Sequence, residues 1–425
     1  MSRAYLSCID SACGKVFPSD FPRFACEVCG GLLDVCYEYD PAEPDELRRL
    51  WRGRLGSGDS ADRSGVWRFR ELLPFLAPPA EPVTLGEGGT PLVEAPRTGR
   101  WAGGLRLWAK HLGANPTGSF KDLGMTACIS AATAHGARVV ACASTGNTSS
   151  SMAAYAARAG LAAVMFVPFQ AIAAAKLAQA VEFGARAIEV RGSFDDAFRL
   201  LRAVAAGGAL HLVNSTNPFR LEGQKTAVVE LLEQRGWRAP DFLALPGGNL
   251  GNVSAMGKGL RELVALGVID RAPRLVVVQA AGAAPFYRHW NTGKPIQPVE
   301  HPETEASAIR IGRPANWPKA RRELEWTGGM VESVSDGEIE EAKAALASDG
   351  IGCEPASAAS VAGVRKLCRA GRIPAGADVC VILTGHQLKD PDYILRRRER
   401  FEAARIVIDA DEESARRALD ALLPA

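Results

Sequence analysis

From about residue 81 the chain alternates short β-branched or apolar runs with alanine-rich helical stretches, and no other feature narrows its possible folds as far. Strands are expected over Arg138–Ala143 (RVVACA), Ala162–Val167, Ala187–Val190, Leu212–Val213, Phe242–Leu245, Leu275–Gln279 and Val379–Leu383. Helices are expected over Thr148–Ala159, Ala174–Phe183, Phe194–Ala205, Leu221–Glu233, Val253–Leu266 and Ser357–Cys368. Such alternation builds βαβ units around a mostly parallel sheet, an α/β fold. After the charged run RRRERFEAAR come one more strand candidate, Arg405–Ile408, and a helix opened by Asp411.

A chain of 425 residues is too long for one ordinary core, so two large units or one two-domain body are expected. Apolar residues at 47% and charged residues at 23% fit a soluble globular protein. Lys plus Arg number 50 against 48 Asp plus Glu, which gives no reason to expect nucleic acid or an anionic membrane as partner. The opening MSRAYLSCID lacks an apolar signal-peptide core. The uncharged stretch between Arg158 and Lys176 is short and broken by Gly160, Pro168 and Gln170, so it reads as helix end, buried strand and helix start. A cytoplasmic protein is expected.

Five of the ten cysteines (Cys8, Cys13, Cys26, Cys29 and Cys36) crowd the start. In a reducing compartment such crowding points to metal ligation before disulfides. The spacing is C-x4-C, twelve residues, then C-x2-C, and Gly14 and Gly30 follow the second cysteine of each pair. Two knuckles of this kind can present Cys8, Cys13, Cys26 and Cys29 tetrahedrally to zinc, or to iron; the alternative is a set of buried free thiols. Four cysteines leave no open position for water, so the metal would be structural and would supply folding energy that a short segment lacks. Residues 1–38 are therefore expected to form a zinc-ribbon-like module. Residues 39–80, rich in Pro, Asp and Arg, read as a connector packed through LRRLW and VWRFRELLPFL, and 81–425 as the catalytic body.

Four polar or glycine-rich segments interrupt the alternation. NPTGSFKD (Asn115–Asp122) offers Lys121 as a Schiff-base amine, against the alternative of a solvated helix-start lysine. STGNTS (Ser144–Ser149) gathers hydroxyls, an amide and helix N-terminal N–H groups that can hold a carboxylate or phosphate, or simply form an N-cap loop. PGGNLGN (Pro246–Asn252) can curl its N–H groups toward a phosphate, or be a tight packing turn. It is not a dinucleotide fingerprint, because its glycine spacing differs and no acid sits where a ribose needs one. TGHQLKD (Thr384–Asp390) puts a hydroxyl at a strand end where it can meet a ring nitrogen, while His386 alone reads as a satisfied loop histidine. All but the lysine loop follow strand candidates, and ligands of parallel sheets sit beyond those strand ends. The residues alone thus lead to a phosphate-bearing cofactor or substrate on an α/β fold.

With these segments, TLGEGGTPL (84–92), VNSTNPFRLEGQKT (213–226), AIRIGRPANW (308–317) and CEPASAA (353–359) make the chain resemble the threonine synthase family, within the fold-type-II pyridoxal-phosphate enzymes. The likeness covers about residues 81–392, and a cysteine-rich, zinc-ribbon-like start also occurs in part of that family. VNSTNPFRLEGQKT and AIRIGRPANW, with TGH-LKD, are the narrower markers; Gln387 departs from a more usual glycine. The resemblance implies a two-domain body of parallel sheets whose smaller subdomain, about residues 125–235, moves against the rest. It implies pyridoxal 5′-phosphate, with Lys121 as its Schiff-base lysine and as base toward the substrate α-proton. Asn147 would meet the cofactor's 3′ oxygen, and Gly247, Gly248, Asn249, Leu250, Gly251 and Asn252 its phosphate. Thr384 would meet the pyridine nitrogen, and a neutral threonine there would leave that nitrogen less fully protonated. Ser144, Thr145 and Asn147 would hold the substrate carboxylate, and Thr148, Ser215, Asn217 and Arg220 the leaving phosphate. An arginine suits phosphate oxygens through its planar fork; the alternative for Arg220 is an ion pair with Glu222 or Glu230 on a helix surface. The implied reaction converts O-phospho-L-homoserine and water to L-threonine and phosphate by β,γ-elimination and replacement. Alternatives are a sister synthase such as cysteate synthase, a serine or threonine dehydratase needing no phosphate site, and a non-catalytic sensor. O-phosphohomoserine is the expected small-molecule partner, a homo-oligomer is an open option, and neither nucleic acid nor membrane is expected.

Overall fold

The structure is a computed structural model that describes residues 3–20, 24–169, 174–206, 208, 210–397, 402 and 404–422. Residues up to Lys389 form one compact unit and Asp390 onward a second. The first unit opens with an antiparallel three-stranded sheet of β1 (Arg3–Cys8), β2 (Val16–Pro18) and β3 (Leu33–Glu38), in the order β2-β1-β3. Helices α1 (Pro44–Arg54) and α2 (Ser60–Arg63) follow. Trp51, Val66, Trp67, Phe69, Leu72 and Leu73, all within the stretch read as a connector, are buried in the core of the main body.

That body contains two sheets. Strands β4 (Leu92–Glu94) and β5 (Arg106–His111) flank α3 (Pro96–Trp101), and α4 (Lys121–Ala134) comes next. Then β6 (Val139–Ala143), α5 (Asn147–Ala159), β7 (Ala162–Pro168), α6 (Ala174–Glu182), β8 (Arg186–Val190), α7 (Phe194–Ala206) and β9 (His211–Leu212) alternate. They form a parallel four-stranded sheet, order β8-β7-β6-β9. After α8 (Pro218–Gln234) the larger sheet resumes with β10 (Phe242–Pro246), α9 (Gly251–Ala265), β11 (Arg274–Ala280), α10 (Pro285–Thr292), α11 (Trp317–Thr327), β12 (Met330–Val334), α12 (Asp336–Ser348), α13 (Pro355–Arg369) and β13 (Asp378–Leu383). Its order is β12-β11-β10-β13-β5-β4, parallel except for the β4–β5 edge. Buried clusters cover both faces, which is why its central strands read as nearly unbroken apolar runs.

Helices α4 and α8 pack unusually closely: a Cβ on Gly223 would lie 1.8 Å from the Leu123 carbonyl oxygen. Strands β5 and β12 were not anticipated, because a charge sits inside each. In β5, Lys110 is fully buried and its ammonium meets Glu230 at 2.6 Å, so a strand of the core carries the sequence look of a surface.

In the second unit, α14 (Pro391–Leu395) and α15 (Glu412–Asp420) are helical, and Asp411 caps α15 by accepting from Ser414 N at 2.8 Å. The strand expected over Arg405–Ile408 is not formed. The segment is coil with Val407 86% exposed, and an apolar run without a neighbouring ladder has nothing to pair with. Among the described residues no helix is long and apolar enough to cross a membrane.

Candidate active site

The lysine loop, expected to follow no strand, in fact leaves β5, which runs parallel to β13, and it is fastened to the loop that leaves β13. Phe120 N donates to Thr384 O at 2.9 Å and His386 N to Gly118 O at 2.9 Å, so the loops bearing Lys121 and Thr384 run antiparallel side by side. Asp122 is fully buried and accepts from Thr117 N (2.7 Å) and Thr117 Oγ1 (2.6 Å), which folds NPTGS back over the helix start. Lys121 opens α4 with its ammonium 3.9 Å from the Phe120 ring centre, and its Nζ finds no hydrogen-bond acceptor among the described residues. Burial pushes the ammonium down to about 7, the Arg220 guanidinium adds to the fall, and Glu354 opposes it. An amine held half neutral near neutral pH can act as nucleophile and base.

The glycine loop lies at the end of β10. Gly247 N is spent on Val278 O (2.7 Å), but the N–H groups of Gly248, Asn249, Leu250, Gly251 and Asn252 find no protein acceptor among the described residues. Leu250 takes a left-handed conformation (φ 64°) as it leads into α9. A Cβ on Gly248 would lie 3.2 Å from Ala308 O and from Ile309 Cα, a tight fit that leaves little room for a side chain. Neither amide atom of Asn252 has a partner although both are buried. Asn249 Nδ2 donates to Ser215 Oγ at 2.7 Å and Asn316 Nδ2 to Ser215 O at 3.0 Å, which draws Ser215 to this loop.

The STGNTS loop ends β6 and starts α5. Ser144, Thr145, Asn147 and Thr148 are half-buried. Asn214 accepts from Ala143 N (3.1 Å), which ties this loop to VNSTN. Arg220, in the first turn of α8, is 2% exposed. One of its N–H groups donates to Val213 O at 3.0 Å and its Nε has no partner. The helix-surface ion pair is excluded: Glu222 meets Lys225 and Lys258, and Glu230 meets Lys110. Arg220 is thus a buried guanidinium facing no carboxylate among the described residues. Asn217 differs from the other expected ligands. It is fully buried, its Oδ1 caps α8 at Phe219 N (3.0 Å), and its Nδ2 donates to Leu212 O (2.9 Å).

The pyridoxal-phosphate-dependent enzyme family matches residues 83–385. The threonine synthase of Methanosarcina acetivorans is 43% identical over 412 residues, 96% of this chain and 98% of that protein. The chain belongs to the threonine synthase family. A second threonine synthase, from Methanocaldococcus jannaschii, is 44% identical over 91% of this chain and 94% of its own length. The crystal structure of the Escherichia coli threonine synthase shares the fold, with a TM-score of 0.70 over 98% of this chain and 94% of that one at 18% identity. As a family member the chain is a fold-type-II pyridoxal-phosphate enzyme, and its residues fit that cofactor. A lysine amine without an acceptor, a glycine loop with unspent N–H groups before a helix, and a buried amide without partners, all among the described residues, are what an aldehyde, a phosphate and a ring oxygen or phosphate oxygen require.

Two site features of this threonine synthase family member were not foreseen. Glu354, the N-cap residue of α13, is 3% exposed and accepts from Asn147 Nδ2 at 3.1 Å and Thr384 Oγ1 at 3.0 Å. Burial pushes its carboxyl up, against those two hydrogen bonds and the nearby Lys121 and Lys389. A Cβ on Gly385 would meet this carboxyl at 2.4 Å, so the glycine of TGH makes its room. Ser357 accepts from Thr384 N (2.8 Å) and Gly385 N (3.1 Å). Lys389 reaches from the end of TGHQLKD to Gln179 Oε1 (2.5 Å) on α6. Both Glu354 and Lys389 lie inside matched motifs, and an acid among small apolar residues in CEPASAA was the available signal. Gln387 leaves Thr384 buried; its amide packs over Gly352, where a Cβ would approach Oε1 to 2.3 Å. In the N-terminal module, the sulfur atoms of Cys8, Cys13, Cys26 and Cys29 all lie within 4.8 Å of one another, with Gly14 (φ 55°) and Gly30 (φ 73°) turning the knuckles, and can hold one metal ion.

Proposed function

We propose that this chain converts O-phospho-L-homoserine and water to L-threonine and phosphate. The observation that carries the reading is Arg220, a buried guanidinium that meets no counter-charge among the described residues and is close enough to depress the Lys121 ammonium. A dehydratase would have no use for it, whereas a phosphorylated substrate supplies the missing charge. Bound pyridoxal phosphate supplies an electron sink for charge developing beside the substrate amine. Gly248 to Asn252 would hold its phosphate, with Gly247 expected there but its N–H already spent on Val278 O; Asn147 would hold its 3′ oxygen, Thr384 its ring nitrogen, and Lys121 Nζ its aldehyde carbon. Lys121 Nζ then takes the proton from the substrate Cα and later returns it. Ser144 and Thr145, with Asn147, orient the α-carboxylate. Thr148, Ser215 and Arg220 take the leaving phosphate, while Asn217 positions Arg220 by capping its helix.

The smaller subdomain, about residues 125–235, carries STGNTS and Arg220 and closes over the pocket to exclude water. Residues 1–38 form the metal module, 39–80 the connector and 81–425 the catalytic body. Ten free cysteines suit a cytoplasmic protein. Incubating cofactor-loaded protein with O-phosphohomoserine, O-phosphoserine and threonine in turn, with all products identified, tests the function. Threonine and phosphate from the first substrate are expected, and deamination of threonine as the main activity would reject the reading.

The four thiols are the proposed zinc site. Metal analysis of protein purified without added zinc should find about one zinc per chain on Cys8, Cys13, Cys26 and Cys29, the number one tetrahedral thiolate site takes. A folded module holding neither zinc nor iron would refute it.

A further inference from the structure

The N-terminal module does not close its own core. Leu6, Cys8, Phe17, Cys26, Leu33 and Val35 share one buried cluster with Ala131 of α4 and Phe219 of α8. Phe219 lies directly before Arg220 and is 1% exposed. On the module side Phe24 stands edge-on to it, 6.4 Å between ring centres, and edge-on to His211 at 5.1 Å. His211 Nε2 in turn lies 3.4 Å from Nδ2 of Asn217, the residue that caps α8. A second grip falls just beyond Arg220. Tyr37 of β3 donates its hydroxyl to Glu222 at 2.8 Å, and the Glu222 carboxylate is paired with Lys225 (2.6 Å) and Lys258 (2.7 Å). Both ammoniums lie over the Tyr37 ring, at 4.6 and 4.8 Å. A third grip holds α11: Asp34 meets Lys319 at 2.8 Å and Arg322 at 2.7 Å. That helix begins one residue after Asn316, whose amide holds the Ser215 carbonyl at 3.0 Å.

Arg220 has one hydrogen bond to the protein and no ion pair among the described residues, so its direction depends on the first turn of α8. The module clasps that turn on both sides, at Phe219 and Glu222. The glycine loop and Lys121 stand at the N-terminal ends of α9 and α4, and the module meets those helices farther along, at Lys258 and Ala131. We propose that the four-cysteine module is a positioning element for the phosphate-binding half of the site, so that emptying it of metal weakens capture of a phosphorylated ligand and spares the cofactor half. This rests on the reading of Arg220 as a phosphate ligand. A small module with short strands relies on its metal for order. Once it loosens, Phe219 loses its packing on the module side, keeping Phe75 and His135, and Glu222 loses its hydroxyl partner.

The test uses metal-loaded holoenzyme stripped with a chelator under reducing conditions, with pyridoxal phosphate kept saturating. The readouts are metal content, the visible cofactor band, KM and kcat for O-phosphohomoserine, and the inhibition constant of inorganic phosphate. Stripping should raise both KM and the phosphate constant at least about fivefold, the low end of a typical coupling between sites, with the band unchanged and kcat altered less than about twofold. Zinc should restore them. Phe24→Ala, at a partly exposed position that ligates nothing, should keep its zinc and move the same two constants the same way. Unchanged constants in both preparations overturn the proposal. Loss of the cofactor band in step with the metal also overturns it, because the module would then merely fold the chain. Arg220→Ala separates the two ideas. If that variant keeps the phosphate constant, the ligand reading fails and the proposal with it; if it loses phosphate binding while stripping does not, the module proposal alone fails.

Discussion

Lys121→Ala is expected to leave a folded chain that attaches no cofactor covalently and turns over about 10²- to 10⁴-fold more slowly, the range a positioned acid–base group contributes. The fold should survive because the Lys121 side chain makes no hydrogen bond or ion pair to any described residue, so its loss strands no partner. Borohydride reduction of the cofactor-loaded parent should fix the cofactor's mass on the peptide containing Lys121 and abolish the visible band; an adduct on another lysine would refute the assignment. The pH dependence follows from the amine's surroundings. Burial, helped by Arg220, holds the free ammonium down at about 7. Above that pH the amine is mostly neutral and nucleophilic; below it, mostly protonated and inert. Cofactor uptake by the apoprotein should therefore accelerate as pH rises through about 7 and level off above about 8, where about nine-tenths of the amine is free. Uptake that climbs instead toward the ordinary lysine value would mean that burial does not tune this amine.

The alternation of β-branched and alanine-rich segments was legible because both faces of the larger sheet and the helices around the smaller one are covered by apolar cores. What escaped reading were elements whose charge is neutralised at a distance. Strand β5 hides behind Lys110, whose partner Glu230 lies 120 residues on, and no local pattern announces that pairing. The same reason governs the site. The loops could be recognised one at a time by their glycines, hydroxyls and lysine. That the Lys121 loop is laid against Thr384 by a two-residue antiparallel bridge depends on the tertiary path of the chain. Asn217 shows the converse: its residue type suits a ligand contact, but the sequence also places it one residue before Pro218 at a helix start, where an asparagine caps.

Glu354 changes one expectation taken from residue type. A threonine at the ring nitrogen was expected to leave that nitrogen less protonated than a carboxylate would. Thr384, however, donates its hydroxyl hydrogen to Glu354 and sits 2.9 Å from Ser357 Oγ, which already accepts from Thr384 N and Gly385 N. With Ser357 as donor and Glu354 as acceptor, the Thr384 oxygen has acceptor capacity left and no hydrogen to give. A hydroxyl so held favours a ring nitrogen that carries a proton, so the side chain's neutrality alone does not settle its electrostatic effect.

Arg220→Ala should lower kcat/KM for O-phosphohomoserine by at least about tenfold. A charge-assisted hydrogen bond is worth roughly 1.5–3 kcal/mol, and about 1.4 kcal/mol corresponds to a factor of ten. The loss should exceed that minimum because the leaving phosphate would remain in an enclosed site with its countercharge gone. Any slow deamination of unphosphorylated threonine should change much less, and the cofactor band should persist, since Lys121 and the glycine loop are untouched. Stability offers an independent check with the opposite sign to a structural role. In the ligand-free chain Arg220 is a buried charge with one hydrogen bond, an unpaired Nε and no carboxylate among the described residues, so burial works against it and pushes its guanidinium below its usual value. Arg220→Met keeps much of the volume and removes the desolvated charge, so the Tm of ligand-free protein should hold steady or rise while activity toward the phosphorylated substrate collapses. With pyridoxal phosphate kept saturating so that the glycine loop is filled, added inorganic phosphate should raise the Tm of the parent and not that of the variant, because only the parent then binds it in the folded state. An equal fall in activity on both substrates, together with a lower Tm, would make Arg220 a structural residue and remove the main support for a phosphorylated substrate.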